Sequence, residues 1–293
     1  MGAHHPERPE RLSAIEDQLI ASGLAPYLER HDAPLATDEQ LERVHPREYV
    51  QAIREVAPSR GTIHLDPDTA MNPYTLQAAL RAAGAAVLAT DLVLGGKADS
   101  AFCPVRPPGH HACRTRAMGF CIFNNVAVAA RHAIAAHGLE RVAIIDFDVH
   151  HGNGTEDIFS DDEQVMMASI FQHPFYPYSG TEDPAPNMYN VPLAAGSGGK
   201  ELRRAVSEVW LPALEEFRPE LVLFSAGFDA HVEDDMAMLR FVDSGYRWVT
   251  EQLAAVAHRH AGGRMVSMLE GGYALGALGR SAVQHLRVLA GVN

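Results

Sequence analysis

Asp146, Asp148 and His150 alternate along Ile144-Ile-Asp-Phe-Asp-Val-His-His-Gly-Asn-Gly154, so on the end of an extended strand all three project to one side. A further carboxylate, Asp229, follows a second apolar run in Ser225-Ala-Gly-Phe-Asp-Ala-His231. Two aspartates and a histidine that leave one position for water are the chemistry of a catalytic zinc site rather than a closed structural one. Residues of these types at strand ends also cap turns and helices, and for Asp148 and His150 taken alone both readings stand. Asp229 weighs toward metal chemistry, because two separate strands then converge on one crevice. Arg106-Pro-Pro-Gly-His110-His111 sets adjacent histidines on a loop stiffened by prolines, suited to general base and acid work beside a metal-activated water. Glu270-Gly-Gly-Tyr273 puts a phenol just after a flexible turn, where it can donate to a developing oxyanion. Taken singly, a histidine pair is more often simply exposed or packed in the core, and a tyrosine after Gly-Gly is more often packing.

Holding these groups together requires strands that end side by side. Val142–Ile145, Leu221–Phe224 and Met265–Leu269 are short apolar runs, partly β-branched and closed by Asp or Gly-bearing segments, as buried strands of a parallel sheet are. Val165–Ile170 and Ser100–Cys103 are weaker strand candidates. Thr75–Leu94, Asn125–His137, Gly199–Phe217 and Ser244–His260 carry apolar residues near the i, i+3, i+4 spacing of helices. Such alternation predicts an α/β layer structure with helices on both faces of the sheet. Ligands of such sheets bind beyond the carboxyl ends of the strands, where the polar residues above cluster. No linker, repeat or biased segment divides the 293 residues, so 1–293 reads as a single domain. The chain opens on His5-Pro-Glu-Arg-Pro-Glu-Arg-Leu12 leading into a helix with no strand before it; the edge strand expected there is either missing from this chain or never encoded.

The 24 Lys and Arg against 37 Asp and Glu give a formal charge of −13. With no basic run, this argues against a phosphate-backbone partner, so no nucleic acid is expected. The charge mildly favours a cationic substrate or partner. Hydrophobic residues at 47% and charged residues at 21% exclude bulk disorder. The opening residues lack the apolar core of a secretory signal. The longest apolar stretch, near Ala82–Thr90, lies between Arg81 and Asp91 and falls far short of a membrane span. Cys103, Cys113 and Cys121 are odd in number without a C-x-x-C pair, which fits reduced thiols in a cytoplasm. A soluble cytoplasmic protein without a membrane partner is predicted. The oligomeric state stays open, a homo-oligomer included.

In combination, Arg106–Ala112, Gly119–Asn125, Ile145–Gly154, Ser225–His231 and Leu269–Tyr273 follow the order of the zinc-dependent histone deacetylase family, and with His5–Leu12 the chain resembles that family over nearly its whole length. The opening segment and the His-His-Gly-Asn-Gly form are similar to the class II and bacterial branch, the histone deacetylase-like amidohydrolases. The resemblance implies an arginase-like three-layer α/β/α fold with a central, mainly parallel eight-stranded sheet. It implies Zn2+ held by Asp148, His150 and Asp229, with His110 and His111 beside the attacking water and Tyr273 as donor to the carbonyl oxygen. Asp146 would stand behind His110 and Asn153 behind His111. Gly119, Phe120 and Tyr176 would wall a narrow tunnel, with Met236 at its rim and Gly272 beside the substrate. A potassium ion, K+, would sit on backbone groups of Asp146, Asp148 and His150 and on the Ser169 hydroxyl.

The implied reaction is hydrolysis of the acetyl amide of an acetylated lysine side chain in a protein or peptide. Zinc lowers the pKa of its water from 15.7 to about 7, His111 takes the proton, and the leaving amine later receives one. A carboxylate favours an imidazolium and an amide does not, so His110 is expected to be the cationic ring and His111 the neutral one. Phe171 stands where many relatives place His, and Met236 where a polyamine-selective branch uses Glu. An apolar Met favours acyl-lysine over a cationic polyamine. Asp66 and Asp68 are candidates for holding substrate backbone at the rim. Two alternatives remain: deacetylation of a small acetylated amine such as an acetylpolyamine, and non-catalytic binding of acyl groups. The second is disfavoured by the presence of every metal ligand and of Tyr273. A dimanganese ureohydrolase would need further bridging carboxylates that Asp229-Ala-His231 does not obviously supply.

Overall fold

The computed structural model describes residues 5–292; Met1–His4, part of the opening read above for a leader, and Asn293 lie outside the described residues. A small antiparallel pair, β1 (Ile63–His64) and β2 (Ala70–Met71), stands apart from the main sheet. The main sheet is made of β3 (Ser100–Cys103), β4 (Val142–Asp146), β5 (Val165–Gln172), β6 (Met188–Leu193), β7 (Leu221–Ala226) and β8 (Met265–Leu269). Its order is β3-β8-β7-β4-β5-β6, and every pairing in it is parallel. Among the described residues the sheet thus has six strands rather than the expected eight. β1 and β2 are two residues each and pair only with one another, around a turn in which Asp66 Oδ1 accepts from the backbone N–H groups of Asp68 and Thr69. The strand β6, which periodicity missed, contains Pro192 and lies at the sheet edge, where a residue without an N–H is tolerated.

The helices are α1 (Glu10–Ala21), α2 (Asp38–Glu42), α3 (Arg47–Val56), α4 (Thr75–Leu94), α5 (Asn125–His137), α6 (Asn153–Phe159), α7 (Gly199–Ala205), α8 (Leu211–Phe217), α9 (Asp243–His260) and α10 (Leu275–Leu289). Two-residue alternation along the strands sorts the core into two layers. Ala143, Ile145, Val222 and Phe224 pack beneath α1, α9 and α10, with Leu202 of α7 and Leu214 of α8. Val142, Ile144, Leu221 and Leu223 pack on the opposite face against α3, α4 and α5. The predicted helix over 199–217 is continuous but carries a π-helical turn at Val206–Trp210, just before Pro212, whose missing N–H interrupts an α-helical ladder.

Helix α4 has the length and hydropathy of a membrane-crossing helix, more than its sequence suggested, yet 61% of its apolar window is buried in the protein. It lies against α5, β3 and β8, as a core helix does. The chain runs outward from β4 through β5 to β6, then returns to β7 beside β4 and continues outward to β8 on the other side. A crevice therefore opens at the carboxyl ends of β4 and β7, the switch point where α/β sheets bind ligands.

Candidate functional site

Both strands that flank the crevice lead into acids. Asp146 is the last residue of β4, and Asp148 and His150 follow it on the descending loop; Asp229 lies three residues beyond β7. One ligand atom from each of Asp148, His150 and Asp229 lies within 4.8 Å of the others, and all three residues are buried. His150 Nδ1 is 2.9 Å from Asp148 Oδ1 and 3.3 Å from Asp229 Oδ2. The other Asp229 oxygen accepts the Val149 N–H, whereas Oδ2 is buried and accepts no hydrogen bond. Burial, and then the charge of Asp148, push the Asp229 carboxyl up to about 6. Against the cost of burial, the charges of His110 and His150 hold Asp148 below the usual carboxylate range. An orphaned buried oxygen among crowded acids, with an imidazole completing the set, fits a divalent zinc ion.

The loop of paired histidines crosses this floor. His110 Nδ1 lies 2.9 Å from Asp146 Oδ2, and His111 Nδ1 lies 2.7 Å from Asn153 Oδ1. Burial opposes a charge on His110, but Asp146 and Asp148 overcome it and raise the ring to about 10. His111 is held well below its ordinary value by burial, and further by the charges of His110 and His150. The expected division into a cationic and a neutral ring is thus what these surroundings produce.

Above the floor is a cavity of about 160 Å³ whose lining includes His110, His111, His150 and Tyr273. Gly119, Phe120, Tyr176 and Met236 also line it, as expected from the sequence, together with Asp68, Pro108 and Phe175. Phe120 and Tyr273 meet edge-on at 6.2 Å, and Tyr176 meets His111 edge-on at 5.4 Å. Gly119 has φ +56°, and a Cβ there would stand 2.3 Å from His111 Cδ2, so only glycine lets the wall close on the imidazole.

Gly272 does not line the cavity; its neighbour Gly271 does. A Cβ on Gly271 would lie 2.0 Å from Asp229 Oδ2, whereas Gly272 turns its carbonyl away to accept from Arg11 Nε at 2.7 Å. Asp66 shapes the β1–β2 turn, and Asp68 both lines the cavity and accepts the Gly119 N–H at 3.1 Å. Phe171 packs 4.7 Å from the ring of His151, whose nitrogens lie 2.9 Å from Ser179 Oγ and 3.0 Å from Glu156 Oε2. Ser169, opposite Asp146 in the β4–β5 register, has a buried hydroxyl without a partner. His231 lies 3.3 Å from Asp243 and takes no part in the metal set.

Two carboxylates escaped the sequence reading. Glu270 Oε2 accepts from the backbone N–H groups of Gly109 and His110, at 2.7 and 3.1 Å, and so fixes the start of the histidine loop. Burial pushes Glu270 up to about 7. Asp234 Oδ2 accepts from the N–H groups of Tyr273 and Ala274 at 2.6 and 2.9 Å, while its Oδ1 accepts from Met236 at 3.1 Å. It ties the tyrosine loop to the Met236 segment, which also lines the cavity. The signal for Glu270 lay in its place immediately before Gly-Gly-Tyr; Asp234 gave none.

The histone deacetylase domain model matches residues 5–289. The chain is 42% identical over 278 residues to the histone deacetylase-like amidohydrolase of Pseudomonas aeruginosa, covering 92% of this chain and 73% of that protein. It is 37% identical over 303 residues to the polyamine deacetylase HDAC10 of Homo sapiens, covering 97% of this chain and 44% of that protein. Among solved structures it is similar to the HD domain of HDA15, with a TM-score of 0.91 and 37% identity over 99% of this chain and 84% of that one. The match extends from the opening segment to the last helix, and the sheet that carries the acids is shared with a solved relative. On this evidence the chain belongs to the histone deacetylase family, zinc-dependent by norm, and is an amidohydrolase on an arginase-like α/β fold.

Proposed function

We propose that this chain, acting as one catalytic domain, removes acetyl groups from lysine side chains of proteins or peptides. The observation that carries the reading is the convergence of a three-ligand set, a histidine pair and Tyr273 on one narrow cavity. Asp148, His150 and Asp229 would hold zinc, and Ser169 with the backbone of Asp146, Asp148 and His150 would hold potassium. Zinc bound there supplies Lewis acidity toward the amide carbonyl and the attacking water. His111 donates its Nδ1–H to Asn153 Oδ1, which leaves Nε2 unprotonated to accept the proton of the attacking water. The resulting imidazolium returns a proton to the amine nitrogen as the C–N bond breaks. His110, paired with Asp146, keeps its charge and supports the negative charge developing nearby. The Tyr273 hydroxyl donates to the carbonyl oxygen, and burial keeps that phenol protonated. Phe120 and Tyr176 flank an uncharged acetyl-lysine arm at little desolvation cost.

The acetyl-lysine reading is preferred over small acetylated amines because Met236 gives the cavity lining an apolar thioether where a cationic substrate would need a carboxylate. The free, buried cysteines support a reducing, cytoplasmic setting.

Turnover of an Nε-acetyl-lysine peptide by zinc-loaded protein, beside Tyr273→Phe, tests the mechanism. The variant is expected to lose about 10²–10³ in kcat, the usual cost of one oxyanion donor. Full activity in the variant would remove Tyr273 from that role. Acetylputrescine is expected to be the poorer substrate; a preference for it would transfer the reading to small amines. Absence of turnover of either, with zinc bound, would leave acyl binding without catalysis.

A further inference from the structure

Asn153, the first residue of α6, is the amide that touches His111, and its orientation decides which imidazole nitrogen carries the proton. Its Oδ1 lies 2.7 Å from His111 Nδ1, while its Nδ2 lies 3.3 Å from Cys113 Sγ and 3.4 Å from Met118 Sδ. The two ends of a side-chain amide have the same shape, so only surrounding donors and acceptors select between them. Turned over, Asn153 would offer an N–H to His111 Nδ1. That nitrogen would then have to be unprotonated, the ring proton would sit on Nε2, and the nitrogen facing the cavity would donate instead of accept.

The sulfurs disfavour that orientation. Met118 has a thioether, which can only accept, and Arg116 Nη2 lies 3.1 Å from the same sulfur. Cys113 directs its S–H toward the His111 carbonyl at 3.7 Å, which leaves its lone pairs for the Asn153 amide. Burial, and then the charge of Asp157, raise the Cys113 thiol, so it stays protonated. Both residues are only 8% exposed, so water does not substitute for them. Each amide hydrogen therefore has its own sulfur acceptor. A carboxylate in place of the amide would have no hydrogen to give either sulfur.

We propose that Cys113 and Met118 are positioning residues, a pair of sulfur acceptors that lock the Asn153 amide and thereby leave His111 with a proton-accepting nitrogen toward the cavity. The proposal rests on the reading of His111 as the base. It is tested by replacing both sulfurs, Cys113→Ala with Met118→Leu, in the native chain and again in an Asn153→Asp background. An aspartate has two equivalent oxygens, so turning it over changes nothing. In the native chain kcat is expected to fall about three- to tenfold with KM little changed, the scale of two weak hydrogen bonds. In the Asn153→Asp background the same replacement is expected to change kcat less than about twofold. Cys113→Ser with native Met118 keeps both acceptors and is expected to retain native turnover. Equal losses in the two backgrounds, or no loss in either together with an unchanged His111 tautomer, would overturn the proposal. Nitrogen-15 NMR of His111 gives a readout independent of turnover: the Nδ1–H tautomer is expected in the native chain and a shift toward Nε2–H in the double replacement. An unchanged tautomer overturns the positioning role. A tautomer that changes while kcat does not leaves the positioning standing and fails His111 as the base.

Discussion

His110 and His111 are consecutive, both buried, with ring centroids 4.0 Å apart, yet their environments drive them to opposite charge states. His110 faces Asp146 and Asp148 and rises to about 10 in spite of burial. His111 faces an amide and falls well below its ordinary value. Two core histidines away from the site calibrate the pair. Burial lowers His45 to about 4 and His285 to about 3, and neither has a carboxylate within hydrogen-bond reach. Burial alone thus makes a neutral ring in this protein, and carboxylate partners reverse it. One loop delivers two identical side chains, and their partners at the ends of β4 and α6 give them opposite preferences for charge.

The strongest way to break this comparison is to delete each ring in turn. His111→Ala is expected to lower kcat by about 10²–10⁴, the range of a positioned general base. His110→Ala is expected to lose less, because a charge near the reacting group is removed while the base remains. Steady-state kcat on an acetyl-lysine peptide, with zinc occupancy measured in each variant, checks the order. A reversed order would exchange the roles of the two rings.

Changing the partners rather than the rings has a smaller effect and sharpens the comparison. Asn153→Asp places a carboxylate against His111 and raises its pKa. A base works only when unprotonated, so the acidic limb of the kcat/KM profile should move to higher pH. Asp146→Asn removes the charge that keeps His110 protonated; the repulsion on His111 then falls, and the limb should again move to higher pH. A profile that stays in place in both variants would mean that His111 is not the titrating base.

The lengths of chain that carry this chemistry were largely legible. β4, β7 and β8 are apolar runs ending in chemically loaded residues, and the structure extends them by no more than two residues beyond the sequence reading. The candidate metal set was legible because Asp148 and His150 share the parity of a strand end. What stayed hidden depends on contacts between distant residues. Glu270 holds backbone groups about 160 positions away, and Asp234 joins two loops, neither of which leaves a periodic trace. Gly271 was missed in favour of Gly272 because both could carry the turn, and only the packed site reveals which one must lack a Cβ. β6 was missed because Met-Tyr-Asn-Val-Pro-Leu neither alternates cleanly nor forms an apolar run, as an edge strand needs to do neither.

The mildest test concerns the calibrating histidines. His285 donates Nδ1–H to Thr250 Oγ1, whose own hydroxyl hydrogen goes to the Tyr246 carbonyl, and its Nε2 accepts from Ser267 at 2.9 Å. The neutral ring is fully satisfied, and the rings of Phe102, Phe147, Phe224 and Phe228 surround it. Its folded pKa is below the unfolded value near 6.5, so its stabilising share is complete above that pH. That share is lost as pH falls toward 3, because the unfolded chain takes up a proton that the folded one refuses. By pH 5 this loss is about 2 kcal/mol. His285→Gln cannot titrate, so although it is expected to be less stable at pH 7.5, its further loss between pH 7.5 and 5 should be smaller than the native chain's by about that amount. Urea unfolding at the two pH values measures the difference. An undiminished loss would mean that burial does not hold a ring neutral in this core, and the low value of His111 would then have to come from the charges of His110 and His150 alone.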